Sequence, residues 1–332
     1  MQLVGHFNTF FRETVNLPDW RLKQLSERVD SIYKALKKDD TYGRLITGKI
    51  PQGSWPHRMI IKPKPNLEYD ADVLLCLNEN ADWDGDKAQY IEQLYWALGR
   101  VGYANRHRKT RCVRVQYAND SHIDLIPYVT TWYGHHIVNK QTGSWEDTNP
   151  EGFTSWVAER DDMTNGNFRK VVRLMKYIRD HRGAFSGTRS IILTTLLGNQ
   201  VDNWTKIANP SAYGSVPNTL VTLTEDLNDW LLDQRTMPDV EDPSSPGTFF
   251  TPHRWSEESY QHFRNRIATL APEMRDALCE PNPEKSAEKW RLVFGDQFKK
   301  ETTENKSASP LAPASVAGGV GWSSASRSGR AG

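Results

Sequence analysis

Apolar residues recur at helical spacing from Pro18 to Leu36, at Leu22, Leu25, Val29, Ile32, Tyr33 and Leu36, with charged residues between them. That period predicts one amphipathic helix, long enough to act as a spine behind more than one lobe. From Ile46 to Val138 the pattern changes to alternation, which predicts strands buried on one face, interrupted by a helical stretch near Lys87 to Val101. From about Gly152 onward the period is helical almost throughout, with loops expected at Pro210 to Pro217 and Met237 to Pro252. The order predicts an α+β fold: a lobe with a mixed sheet and flanking helices over residues 1–165, then a helical lobe over 166–298. The spine helix is expected to span the back of both lobes.

The pattern fails after residue 298. From Lys299 to Gly332 the chain is rich in Ser, Ala, Gly and Pro, and its sizeable apolar groups are Leu311, Val316, Val320 and Trp322. So little apolar surface cannot offset the entropy of ordering the segment, and a disordered tail over 299–332 is expected.

Composition narrows the class. The 332 residues carry a net charge of +1, which argues against a surface built throughout to coat nucleic acid, so any basic site is local. No apolar run is long enough for a membrane span, and the opening Met1 to Phe7 lacks the charged start and apolar core of a signal peptide. The three cysteines, Cys76, Cys112 and Cys279, have no metal-binding spacing and read as reduced thiols of a cytoplasmic protein. The adjacent His135 and His136 lack the helical spacing of a zinc pair and read as a turn between strands.

The chemistry is concentrated in three short segments: Gly53-Ser54, the apolar run Tyr69-Asp70-Ala71-Asp72-Val73-Leu74-Leu75, and His122-Ile123-Asp124-Leu125-Ile126-Pro127. Residues two apart on a strand share a face, so Asp70 and Asp72 point one way while Ala71, Val73 and Leu75 pack the other. In the second run Asp124 and Ile126 share one face, opposite Ile123 and Leu125. Carboxylates this close repel unless cations neutralise them. Two Mg²⁺ ions, for which Mn²⁺ can substitute, would do so and would clamp the attacking and leaving oxygens of a phosphoryl transfer. Alone, an Asp-x-Asp pair reads equally as ordinary strand-end aspartates; its joint occurrence with Gly53-Ser54 and a third Asp is the informative feature.

In this order the three segments resemble the nucleotidyltransferase superfamily, and the phrase from Gln52-Gly53-Ser54 to Asp72-Val73-Leu74-Leu75 resembles the bacterial cGAS/DncV-like nucleotidyltransferases. The Asn149-Pro150 turn, the basic helix around Arg173-Leu174-Met175-Lys176-Tyr177 and the stretch from Ser286 to Gly295 agree with that family. The last stretch, with His6-Phe7-Asn8-Thr9-Phe10, most resembles its clade D. The resemblance, over roughly residues 1–298, implies a polymerase-beta-like catalytic lobe and an oligoadenylate-synthetase-like helical lobe. It implies Asp70, Asp72 and Asp124 as catalytic metal ligands, with Gly53, Ser54, Lys176 and Ser190 binding the nucleotide. It also implies an enzyme that condenses nucleoside triphosphates, ATP with or without GTP, into a cyclic di- or trinucleotide for antiphage (CBASS) signalling, with no obligatory nucleic-acid template.

Several readings stay open. On the helix from Asn167 to His181, Val171, Leu174, Met175 and Ile178 form the apolar face, and Arg169, Arg173 and Lys176 a basic one that is either a solvated face or a triphosphate clamp. Ser190 is either a helix cap or a phosphate contact. After Ser54 many relatives have basic and small hydroxyl residues where this chain has Trp55-Pro56-His57-Arg58-Met59, so the loop's phosphate contacts, Arg58 included, are open. The end Ser326 to Gly332 is either a passive tail or a substrate for a ubiquitin-transfer-like enzyme acting at Gly332. A transferase acting on a protein or tRNA would use the same triad, and a non-catalytic scaffold recruited through its tail would not need it.

Overall fold

Alternation is realised as a seven-stranded mixed sheet with strand order β1-β2-β5-β4-β3, β6 pairing with β5 and β7 with β6. The strands are β1 (Ile46–Gln52), β2 (Tyr69–Asn78), β3 (Arg106–Arg108), β4 (Val113–Gln116), β5 (Ser121–Thr131), β6 (Gly134–Asn139) and β7 (Ser144–Asp147). In this computed structural model the described residues are 2–65, 68–117, 121–251 and 255–299. The expected disordered tail, with its candidate conjugation end, lies outside them apart from Lys299.

The long strands β2 and β5 lie side by side in parallel at the middle of the sheet, and β1 runs antiparallel along the far side of β2. Parallel neighbours need a crossover. Here that connection contains α3 (Gln89–Arg100), whose Ile91, Leu94 and Leu98 cover the sheet. Ala71, Val73, Leu75 and Leu77 of β2 join Ile123, Leu125 and Val129 of β5 and Val113 and Val115 of β4 in that core. The helix predicted at 18–36 is α2 (Asp19–Leu36), following α1 (Val4–Phe10). Its buried Leu25, Val29, Ile32 and Leu36 all lie in the sheet core. The spine expectation is therefore corrected: α2 packs on one core only.

A second core is helical, built from α4 (Pro150–Met163), α5 (Phe168–Arg182), α6 (Ser190–Asn199), α8 (Val216–Asp233), α9 (Glu257–Cys279) and α10 (Pro283–Phe294), with the short α7 (Asn203–Ala208) at its surface. Asn149 and Pro150 start α4 as residue chemistry dictates: the Asn149 side chain accepts from the Gly152 N–H, and Pro150 fills the first turn, where no donor is needed. The element that reaches this core from the amino-terminal side is α1 with the following turn, through Phe7, Phe10, Phe11 and Val15. Phe7 stacks edge-on against Trp290 at 5.1 Å and Phe298 at 5.1 Å, and Phe10 lies 5.2 Å from Phe294. The two segments that carried the clade resemblance thus form a single aromatic cluster.

The histidine pair is also corrected. His135 and His136 are the second and third residues of β6, and the turn is Trp132-Tyr133 before it. His136 is buried, with Nδ1 2.7 Å from Asp147 and Nε2 3.1 Å from the Thr131 hydroxyl.

Candidate active site

The face of the sheet opposite the apolar core is polar across four strands. Register pairs Gln52 of β1 with Asp72 of β2, Asp72 with Asp124 of β5, and Asp124 with Arg114 of β4. One step along, Asp70 is paired with His122 and His122 with Gln116. Two transverse rows result, Gln52-Asp72-Asp124-Arg114 and Asp70-His122-Gln116. Alternation required the first property of these rows, a shared face; the parallel β2–β5 register supplies the second, adjacency.

Gly53, directly after β1, turns the chain over the rows. Its φ of +71° is a conformation that side chains disfavour, and a Cβ there would stand 2.8 Å from Asp72 Oδ2. Backbone conformation and close approach to a carboxylate both demand glycine. Beyond Ser54 the loop leaves the sheet and is fastened to the helical core. His57 is buried with Nε2 3.1 Å from the Thr154 hydroxyl of α4, while Met59 and Ile61 join the helical core. Burial, with Arg169 and Lys176 nearby, pushes the His57 imidazole down to about 4, so it is neutral near pH 7. Two residues of the stretch Trp55 to Met59, His57 and Met59, are therefore anchors to the helical core. Arg58 is exposed with φ +54°.

On α5, Lys176 is 6% exposed and its Nζ donates to the Ser54 hydroxyl at 2.9 Å and to the Met59 carbonyl at 2.8 Å. Desolvation pushes the ammonium down to about 8; Arg179 adds to the shift and the charge of Asp70 opposes it. Lys176 therefore ties the Gly-Ser turn to the helical core within electrostatic reach of the acidic rows. One helical turn on, Arg179 Nη1 donates to the Ser190 hydroxyl at 3.0 Å and to the Thr188 carbonyl at 3.1 Å, while its fork grips Asp180. Ser190 does not cap α6: the N-cap position is Arg189, and Ser190 is the first helical residue.

The basic stripe on α5 is mostly structural. Arg169 pairs with Asp161 at 3.0 Å, and Arg173 donates to Asn16 at 2.6 Å and lies over the Phe11 ring. Of the three stripe residues only Lys176 meets the Gly-Ser turn. Arg179 was missed because it lies off the stripe; its spacing of three from Lys176 was the signal available.

Asp70, Asp72 and Asp124 share a face and offer hard oxygen donors, the chemistry that Mg²⁺ prefers. They are not gathered into a finished cage: among the described residues no three His, Cys, Asp or Glu side chains converge to hold an ion. Asp124 is buried and receives both arms of Arg114, Nε to Oδ1 at 2.8 Å and Nη2 to Oδ2 at 2.8 Å. The buried Cys112 thiol also bonds Asp124 and is held far above the usual thiol range, by burial first and then by Asp124 and Asp72. Arg114 and Cys112 gave no sequence signal, since strand pairing alone brings them to Asp124.

The chain and its fold are similar to those of known proteins. Residues 1–161 match the Second Messenger Oligonucleotide or Dinucleotide Synthetase domain family. Among curated proteins, the cyclic AMP-AMP-AMP synthase of an Acinetobacter species is 22% identical over 285 residues, covering 84% of this chain and 80% of that one. Among solved structures, Vibrio cholerae DncV in its GTP-bound form has a TM-score of 0.72 at 16% identity, over 90% of this chain and 97% of that one. Escherichia coli MS115-1 CdnC with ATP has a TM-score of 0.68 at 18% identity, over 90% and 99%.

Proposed function

We propose that this chain, whose residues 1–161 match the Second Messenger Oligonucleotide or Dinucleotide Synthetase domain family, is a cGAS/DncV-like nucleotidyltransferase that condenses nucleoside triphosphates, ATP among them, into a cyclic di- or trinucleotide that signals in antiphage (CBASS) defence. The observation that carries the reading is the conjunction of Asp72 and Asp124 in register beside Gly53, with Lys176 bonded to Ser54. A relative named as a cyclic AMP-AMP-AMP synthase and others solved with ATP or GTP supply the substrate class.

Each step is an in-line displacement. A ribose hydroxyl of one nucleotide attacks the α-phosphorus of a second; the new P–O bond forms as the bond to the bridging oxygen breaks, and pyrophosphate leaves. Asp70, Asp72 and Asp124 would hold two Mg²⁺ ions, which when bound supply charge neutralisation and Lewis-acid polarisation. Backbone N–H groups at Gly53-Ser54, the Ser54 hydroxyl and the Lys176 ammonium cradle the triphosphate. Ser190, aimed by Arg179, completes that cradle. Asp124 accepts the proton of the attacking hydroxyl, which requires an oxygen that Arg114 now occupies. A second displacement in the same pocket closes the ring.

The test is incubation of purified protein with each pair of labelled nucleoside triphosphates and Mg²⁺ or Mn²⁺, followed by phosphatase treatment and mass spectrometry. The expected result is a phosphatase-resistant product that is absent with Asp70→Ala/Asp72→Ala. Linear products under every condition would exclude cyclisation. Product only in the presence of a protein or tRNA acceptor would move the reading to a macromolecular transferase.

A further inference from the structure

We propose that Arg114 is a latch on the triad: it holds Asp124 and competes with a divalent ion for the same carboxylate. The inference rests on the metal reading given above and goes beyond it by identifying what controls entry of the ion that needs Asp124.

Three observations carry it. Arg114 and Asp124 are directly paired residues on neighbouring antiparallel strands, so the backbone itself sets the approach of the two side chains. The contact is bidentate at 2.8 Å on both arms, which fixes the carboxylate plane and engages both of its oxygens. Asp124 is itself buried, so the pair is little screened by solvent and a second cation must contend with the guanidinium for the same carboxylate.

The sign of the effect separates this arrangement from the usual supporting contact. A carboxylate or carbonyl behind a metal ligand raises the ligand's basicity and strengthens binding. A guanidinium does the reverse: it withdraws electron density from the carboxylate and repels the incoming ion. Divalent ion and Arg114 thus compete for Asp124, and the fork must open before an ion can use that carboxylate.

The experiment measures Mn²⁺ binding to the full chain without nucleotide, by calorimetry or water-proton relaxation. Arg114→Gln is expected to bind Mn²⁺ about tenfold tighter than the wild type, the change that loss of one close like-charge repulsion produces. Adding Asp124→Asn to that variant should remove the gain. Arg114→Lys keeps the charge without the fork and should fall between the two, and it serves if the glutamine variant does not fold. Unchanged or weaker Mn²⁺ binding in the folded variants would overturn the latch and leave the metal reading standing. Mn²⁺ binding that survives Asp70→Ala/Asp72→Ala would overturn the metal reading and the latch with it.

Discussion

The two walls of the site are built by different rules. The acidic wall belongs to β2 and β5, where the side-chain period is two and register is locked by a parallel ladder from Tyr69–Ser121 to Asn78–Thr130. A strand has two faces, and the buried Ala71, Val73 and Leu75 leave Asp70 and Asp72 only one. The basic wall belongs to α5, where the apolar face covers so much of the helix that even Lys176 is buried, and where a stripe of three cations leads to three different partners. Strand periodicity determines what a residue faces; helical periodicity determines only a direction, and the neighbours packed there decide the rest.

Sharpest is a pair of substitutions on the acidic side. Asp72→Asn should lower kcat by at least about 10³-fold while the thermal midpoint stays near wild type, since the half-buried amide keeps the size and shape of the carboxylate. Gly53→Ala, which removes no donor from the loop, should lower turnover by at least about tenfold, because its Cβ meets Asp72 Oδ2 at 2.8 Å and its φ of +71° is strained. Initial rates of pyrophosphate release, with circular dichroism melts, check both. A tolerated Gly53→Ala would show that the turn can withdraw from Asp72.

On the basic side Lys176→Met should raise the KM for nucleoside triphosphate about 10- to 100-fold. The same variant should raise the thermal midpoint, since it relieves the burial of an ammonium. Opposite signs for binding and stability would be the mark of a group held at a cost for function.

The same lysine sets a pH dependence. Its folded pKa is lowered from 10.5 to about 8. Between those two values the unfolded chain holds a proton that the folded chain has released, so stability should rise with pH across that window. Capacity to bind triphosphate should move the other way, with kcat/KM falling above about pH 8 and the fall absent in Lys176→Arg. Chemical denaturation and steady-state kinetics across pH 7 to about 10 check both signs.

The smallest effects divide the helix itself. Arg179→Ala should raise KM about five- to tenfold by releasing Ser190, with little change in stability. Arg173→Ala should do the opposite, lowering the midpoint by several degrees through loss of the Asn16 bond and the Phe11 contact, with KM unchanged. Equal effects from the two would erase the division drawn between them.

What the sequence made legible follows the same line. The two strands, their polar face and the triad were readable because alternation is local and admits two outcomes. The α5 apolar face was readable for the same reason. The spine role of α2 was not, because amphipathicity says that a helix packs and not against which core. Arg114 reached the site through β4–β5 pairing and Arg179 through its contact with Ser190, both of which depend on segments meeting in space. The anchors His57 and Met59 stood in the sequence as a departure from a familiar loop, and only the helical core explains them.

The cluster in which Phe7 and Phe10 meet Trp290, Phe294 and Phe298 joins segments that leave the ribosome early and late relative to one another. A nascent chain can close its sheet core as soon as Val138 has left the ribosome, but its helical core lacks a wall until residue 298 has emerged. Since that core seats Lys176 and the far end of the phosphate loop, a growing chain carries an assembled acidic wall and no finished cradle. The cradle is thereby the last part of the site to be completed, and a chain cut short before Trp290 is expected to lack it.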